Sequence, residues 1–401
     1  LYLRLKEAAQ SARGVDGTAD DPLVEHHALA SEANTLLSRL DRWTGRNRPA
    51  QNTREAARAS YPWIQRGLDA AAARDSDSYT QHDGLLAPSS HPDLDPFSGP
   101  RPVSAGQLET YAQAPYAYFL RHVLEIEPLD EPALDDVAWL DARGRGALLH
   151  HTFQRFMAKL NRQPTREDVD MLREVFEKAL QDRREQLPPP SEVVYASTRR
   201  QLWNDTRLFL RAEAARTDPH RPHAFEVGFG YPPHRRTDGD YDTAPTLHLG
   251  NLTFSLRGRI DRIDRLDDDT VGLWDYKTGS SRKYDEGDLV TGDFHLQWAL
   301  YAYAYEALAN ETVATAGYFF TSTDEMGKRI SASPKAHRQS VARVLQKISD
   351  GITGGAFPIT DADALRYSYA PLFHDYRERR KQVNSKDWPD DRPAPPGFDS
   401  D

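Results

Sequence analysis

Between residues 247 and 278 the apolar spacing of the chain changes period, and this change limits the fold more than any other feature of the sequence. "LHLGNLTFSLRGRIDRID" (247–264) and "TVGLWDYKT" (270–278) carry apolar residues at alternate positions, the spacing of strands. "LDDDT" (266–270) reads as the turn joining them, and "HAFEVGFGY" (223–231) as a further strand upstream.

Helical spacing surrounds this block. "GRGALLHHTFQRFMAKLN" (144–161) is amphipathic, with Leu149, Phe153, Phe156, Met157 and Leu160 as its apolar stripe. Two more helices are expected at about 166–186 and 192–216. After the strands come a helix in "FHLQWALYAYAYEALAN", a strand in "TVATAGYFFTS" and a helix in "KAHRQSVARVLQKISDGI". Ser104 reads as the N-cap of a helix interrupted at Pro115. The order is helix, antiparallel strands, helix, strand, helix.

Two helical stretches are expected before residue 80, "PLVEHHALASEANTLLSRLDRWTG" (22–45) and "TREAARASYPWIQRGLDAAAARD" (53–75). Residues 86–103, rich in proline and poor in periodicity, read as a linker. The charged, proline-rich tail 386–401 is expected to be disordered. The chain starts with Leu and has no signal-peptide layout, so it reads as a fragment of something longer.

With 401 residues and 38% apolar content, the chain can bury at least one large core. No run of 18 apolar residues exists, so no transmembrane helix and no membrane partner are expected. The absence of cysteine excludes disulfides, thiolate metal sites and Cys nucleophiles, and fits a cytoplasmic protein. A net charge of −10 is not the footprint of a general nucleic-acid binder, although a local basic channel stays open.

Residues two apart on a strand share a face, so Asp275 and Lys277 point together while Trp274 and Tyr276 point away into a core. The hairpin brings Asp261 back near Asp275. Two carboxylates then meet a lysine where a sheet runs into a loop. Paired carboxylates hold a hard cation such as Mg²⁺, and a lysine beside them can orient or activate a water. A surface ion pair is the plainer account of an isolated D-x-K. Three details argue against it here: flanking Gly258 and Gly279, the apolar remainder of the Asp275 strand, and a following helix with Gln297 and Tyr301 one turn apart.

"GRIDRID", "LWDYKTG" and "QWALYAYA", in this order, resemble the RecB-type branch of the PD-(D/E)XK nuclease superfamily. The family's Gly-x-Leu-Leu-His helix is matched at Gly146 to His150, and its Ser-x-x-x-Leu-Glu-x-Tyr segment in "SAGQLETYAQAPY" (104–116). "YTQHDGLL" (79–86) resembles the lead-in of AddB-like helicase–nuclease subunits. The resemblance implies a restriction-endonuclease-like α/β core, a mixed central sheet flanked by helices, over residues 101–385. Residues 1–100 would be the helical tail of a preceding helicase-like domain plus the linker.

It further implies a metal-dependent deoxyribonuclease, an exonuclease of a helicase–nuclease acting on broken DNA ends, using Mg²⁺ or Mn²⁺. His150, Asp261 and Asp275 would be metal ligands with the Tyr276 carbonyl as a fourth. Lys277 would serve the attacking water, and Gln297 and Tyr301 would position the nucleic-acid backbone or the active-site groups. Glu226 also matches a family acid and is assigned a structural role. AddB-like nucleases often carry four cysteines that bind an iron–sulfur cluster. Here Ala114, and by alignment Tyr367, Ala370 and Tyr376, stand in their places, so no cluster is expected. No G-x-x-x-x-G-K-[ST] motif occurs, so ATP hydrolysis would have to come from another domain or subunit. Arg257, Arg259, Arg282 and Lys283 are candidates for a basic path to the acids. The rival reading is a nuclease fold that no longer cuts and serves as a DNA-binding or scaffold subunit.

Overall fold

The computed structural model describes residues 62–87, 94–99, 101–127, 138–160, 162–218, 220–266, 269–284, 289–290, 295–359, 383 and 385–396. The chain divides into two compact units, 1–75 and 76–401. Of the first unit, the described part is helix α1 (Pro62–Arg74), inside the second of the two expected N-terminal helices; 22–45 lies outside the described residues.

The second unit is organised by one long strand. It opens with β1 (Val103–Ser104) and α2 (Ala105–Gln113), whose N-terminus is capped by Ser104 Oγ accepting the Gln107 N–H at 3.2 Å. Pro115 ends that helix and starts the one-turn α3 (Pro115–Tyr118). Helices α4 (Ala142–Leu160), α5 (Val169–Gln186) and α6 (Glu192–Ala214) follow. Then come β2 (Arg221–Phe229), β3 (Thr246–Leu249), β4 (Leu252–Arg265) and β5 (Thr270–Lys277). The described chain continues through α7 (Gln297–Ala309), β6 (Thr312–Phe320), β7 (Arg329–Ala332) and α8 (Pro334–Thr353).

The described strands form a seven-stranded mixed sheet in the order β1-β4-β5-β6-β7, with β2 and β3 also paired to β4. The 14 residues of β4 pair with β3 at one end, and with β2 and β5 at the other. β5 and β6 run parallel, with α7 as the crossover. The run 247–264, expected as one strand, is a hairpin: Leu249 pairs with Leu252, and Gly250 takes φ 60° in the two-residue turn.

Alternation along β5 divides the core in two. Val271 and Leu273 pack with α2, α7 and α8, whereas Trp274 and Tyr276 pack with α4, α5 and α6. The α4 stripe is buried from Leu149 to Met157, with Phe153, Phe156 and Met157 fully inside and Leu160 half-buried at the helix end. Phe153 stacks on Phe209 of α6 at 4.0 Å and meets Tyr276 edge-on at 5.3 Å.

Both ends of the second unit depart from the expected layout. Part of the expected linker is core, since Phe97 is buried against Phe254 and Val103 pairs with Leu256. The expected disordered tail is, over 385–396, bound to residues 77–86. Lys386 is only 7% exposed and donates to the buried Asp83 carboxylate at 3.1 Å, Trp388 packs on Tyr79, and Ser78 bridges Asp387 in parallel. Charge and proline content suggested solvation there. A buried carboxylate opposite the lysine reverses that outcome, because each charge satisfies the other. The first unit accordingly ends at Asp75 rather than near residue 100.

Candidate active site

Three elements converge at the end of β5. Helix α4 brings His150, β4 brings Asp261, and β5 brings Asp275, Tyr276 and Lys277. Asp261 Oδ2 accepts the Tyr276 backbone N–H at 2.8 Å, which ties the two strands together where their side chains must meet. His150 Nε2 lies 3.0 Å from the Tyr276 carbonyl oxygen and its Nδ1 lies 3.4 Å from Asp261 Oδ2. Burial pushes the imidazole below its usual value, so it is neutral near pH 7.

A neutral imidazole has one N–H, but both of its nitrogens face an acceptor oxygen. One nitrogen therefore faces an oxygen that must either carry a proton, as a raised Asp261 carboxyl can, or share a cation with it. Glu226 adds to this demand. One donor atom each from His150, Glu226 and Asp261 lies within 4.8 Å of the others. Burial pushes the Asp261 carboxyl well above the usual range, and the nearby charges of Asp275 and Glu226 push it further. The Glu226 carboxyl is also raised, by burial first and, against the pull of Arg259, by Asp275. Carboxylate oxygens and one imidazole in a crowded negative site suit a hard divalent cation.

Glu226 reaches this place by an unusual backbone. It lies between the Phe225–Arg262 and Val227–Ile260 pairs of β2 and β4, opposite Asp261, with φ at 51°. A non-glycine residue in the left-handed region costs about 1–3 kcal/mol and persists only where its surroundings enforce it.

Asp275 lies outside the group of three, although its charge is felt at Asp261. Its carboxylate is held by Lys277 Nζ at 2.5 Å and by Gln297 Nε2 at 2.7 Å. The Gln297 Oε1 in turn accepts from Lys277 Nζ at 3.2 Å, closing a triangle. Burial alone would lower the Lys277 ammonium, but the Asp275 charge overrides it and holds it above the usual lysine range. Lys277 therefore stays charged and serves as a hydrogen-bond donor in this arrangement.

Tyr301, one turn along α7, lays its ring on β4. A Cβ at Gly258 would come within 2.5 Å of that ring, so the glycine of "GRID" is needed for the close approach. Glu109 of α2 also reaches the site, with Oε1 accepting the backbone N–H groups of Leu296 and Gln297 at 2.7 and 2.9 Å. Sequence spacing gave it no role.

Of the candidate basic residues, Arg259 is committed elsewhere, to both carboxylate oxygens of Asp240 and to the Glu226 carbonyl. Arg257, Arg282 and Lys283 are exposed. At the position of the first cluster cysteine, Ala114 is buried with Ala117, Leu120 and Ile359; Tyr367, Ala370 and Tyr376 lie outside the described residues.

The family model of the PD-(D/E)XK nuclease superfamily matches residues 102–366. The chain belongs to this superfamily. The matched range includes Glu109, His150, Glu226, Asp261, Asp275, Lys277, Gln297 and Tyr301. Among curated proteins the chain is similar to the B subunit of the ATP-dependent helicase/deoxyribonuclease of Carboxydothermus hydrogenoformans, 24% identical over 74% of this chain and 26% of that protein. The protein of the same name from Clostridium botulinum is 24% identical over 51% of this chain and 18% of its own length, and that of Clostridium kluyveri 25% over 50% and 17%. The chain thus spans about a quarter or less of the length of these relatives.

Proposed function

We propose that the chain is a metal-dependent deoxyribonuclease that hydrolyses phosphodiester bonds at DNA ends, as the nuclease part of a helicase–nuclease in double-strand break repair. The observation that carries the reading is the pairing of two groups at one strand end. His150, Glu226 and Asp261 form a donor set fit for a divalent cation, and Asp275, Lys277 and Gln297 interlock beside it. DNA as substrate and a helicase partner rest on the superfamily and on the names of the relatives, which the chain covers only in part.

His150, Glu226, Asp261 and the Tyr276 carbonyl would hold Mg²⁺ or Mn²⁺, with Asp275 at its border. When bound, the cation supplies positive charge that withdraws electrons from a phosphate oxygen and acidifies a water. The rest falls to this chain's own groups. An ammonium has three N–H donors; Lys277 gives one to Gln297 Oε1 and pairs with Asp275 through its charge. Its remaining N–H groups would orient the attacking water or donate to the phosphate, whose charge grows in the transition state. Tyr301 packs on the β4 backbone at Gly258, beside Asp261 in sequence.

The test is digestion of linear duplex, closed circular duplex and single-stranded DNA by the purified chain with Mg²⁺ or Mn²⁺. Cleavage of linear but not circular DNA, abolished by a chelator, is the expected result. A chain that binds DNA and leaves every substrate whole under both metals would overturn it in favour of a non-catalytic role.

A further inference from the structure

Helix α7 begins without a local cap. Its N-cap residue is Leu296, whose side chain makes no capping hydrogen bond. First-turn N–H groups have no partner inside their own helix and need an acceptor from elsewhere. That acceptor is Glu109, nearly two hundred residues earlier in the sequence. A single oxygen of its carboxylate takes the N–H groups of both Leu296 and Gln297, at 2.7 and 2.9 Å. A carboxylate there also complements the positive end of the helix dipole.

Gln297 is the residue whose side chain interlocks Asp275 and Lys277. Fixing its backbone N–H fixes where that amide side chain starts. A contact chain therefore runs from α2 through the first turn of α7 to the end of β5. We infer that Glu109 is a positioning residue for the Asp275–Lys277 pair, acting through the backbone of Gln297. The inference deepens the proposed function and rests on the reading of this site as one that cleaves phosphodiesters.

The choice of residue supports more than helix capping. Serine or threonine caps a helix without a charge, whereas Glu109 is a half-buried carboxyl close enough for its charge to act on Lys277 and on the phenols of Tyr284, Tyr301 and Tyr318. Burial pushes its carboxyl up to about 7, against the opposing pull of the Gln297 N–H and Lys277. Such a group is costly to ionise, and it stands where it bears on the lysine's charge as well as on the helix.

The experiment compares Glu109→Ala, Glu109→Gln, Gln297→Ala and the double variant Glu109→Ala/Gln297→Ala with the unaltered chain. One readout is backbone amide deuterium exchange at Leu296 and Gln297. The other is steady-state DNA cleavage, read as kcat and KM. Glutamine keeps an acceptor oxygen at the same place. The expected results are faster exchange in Glu109→Ala and retained protection in Glu109→Gln. Cleavage in Glu109→Ala should fall about 10- to 100-fold in kcat with KM little changed, as for a misplaced reacting group, and Glu109→Gln should restore most of the loss. The double variant should be no worse than the poorer single variant, because both act on one contact chain. Wild-type cleavage in Glu109→Ala, or losses that multiply in the double variant, would overturn the inference. An unaltered chain that cuts nothing would sink the proposed function instead. The exchange readout then decides the positioning claim: unchanged exchange in Glu109→Ala rejects it.

Discussion

Arg262 and Glu213 face each other across the buried side of the sheet at 2.8 Å, and neither side chain has any solvent exposure. Arg262 also donates to Asp264 at 2.7 Å, and Arg329 donates to Glu213 at 2.6 Å, so the pair is the centre of a buried network. Arg262 directly follows Asp261 in β4, and its guanidinium lies where it acts on the Tyr276 ring hydroxyl. Removing one partner would leave a buried charge unmatched. Glu213→Ala is expected to destabilise the fold by about 3–5 kcal/mol, measured by urea unfolding. A loss within experimental error would show that the network relaxes or admits water.

Two glutamates, Glu213 fully buried and Glu109 half-buried, should give opposite pH dependences of stability. Burial would raise Glu213, but Arg262 and Arg329 outweigh it and lower its carboxyl from 4.5 to about 2. Its folded value lies below its unfolded one, so its contribution is full above about pH 4.5 and is lost as the pH falls towards about 2. Glu109 is raised from 4.5 to about 7, so the folded state holds its proton more tightly. Its contribution is full below about pH 4.5 and is lost as the pH rises to about 7. Glu109→Gln should therefore gain stability relative to the unaltered chain across that upper window. Unfolding curves at half-unit intervals would read it, and parallel profiles for the two proteins would refute it.

Removing the acids of the site should separate metal binding from turnover. Glu226→Gln is expected to weaken Mn²⁺ binding, measured by calorimetry, by about tenfold or more, since it removes one charge from the donor set. Asp275→Ala should abolish cleavage while the circular dichroism spectrum stays unchanged. Lys277→Ala should lose turnover and keep the metal. If Lys277→Ala lost the metal as well, the lysine would be holding the donor set in shape rather than serving the substrate.

Arg282 and Lys283 are exposed in the turn that follows β5, just beyond Gly279 and Ser280 and close to the site in sequence. Reversing both to Glu should weaken DNA binding and flatten its dependence on salt, because fewer phosphates are neutralised. Metal affinity should stay nearly unchanged. Unaltered DNA affinity across a salt titration would place the strand on another face.

Much of the site was legible because strand alternation is rigid. Asp275 and Lys277 share a face and Trp274 and Tyr276 enter the opposite core, as a period of two requires. The α4 stripe was legible for the same reason at a period of 3.6. Glu226 was harder to place, because its approach to His150 and Asp261 accompanies a left-handed backbone that spacing does not reveal. Glu109 was hidden by sequence distance, since its partners lie 187 and 188 residues away. The hairpin at Gly250 and Asn251 was in fact marked in the sequence, because the apolar positions shift from Leu247 and Leu249 to Leu252, Phe254 and Leu256 across the Gly-Asn pair, and the structure turns the chain there with Gly250 at positive φ. The tail from Lys386 looked solvated because only the fold brings Asp83 to it.

The parallel bridge between Ser78 and Asp387 bears on how the nuclease unit answers mechanical load. The Tyr79 N–H donates to the Asp387 carbonyl at 3.3 Å, and the Asp387 N–H donates to the Asp77 carbonyl at 2.7 Å. Tension applied at the two flanks of a parallel pair pulls the strands along their length, so these bonds and the Asp83–Lys386 pair bear it together, in shear. The sheet that carries Asp261 and Asp275 is thus shielded from force transmitted along the polypeptide. In single-molecule pulling from residues 76 and 396, this contact should yield first, as a short extension before the main unfolding event. Lys386→Ala should lower the force of that first step and leave the second in place.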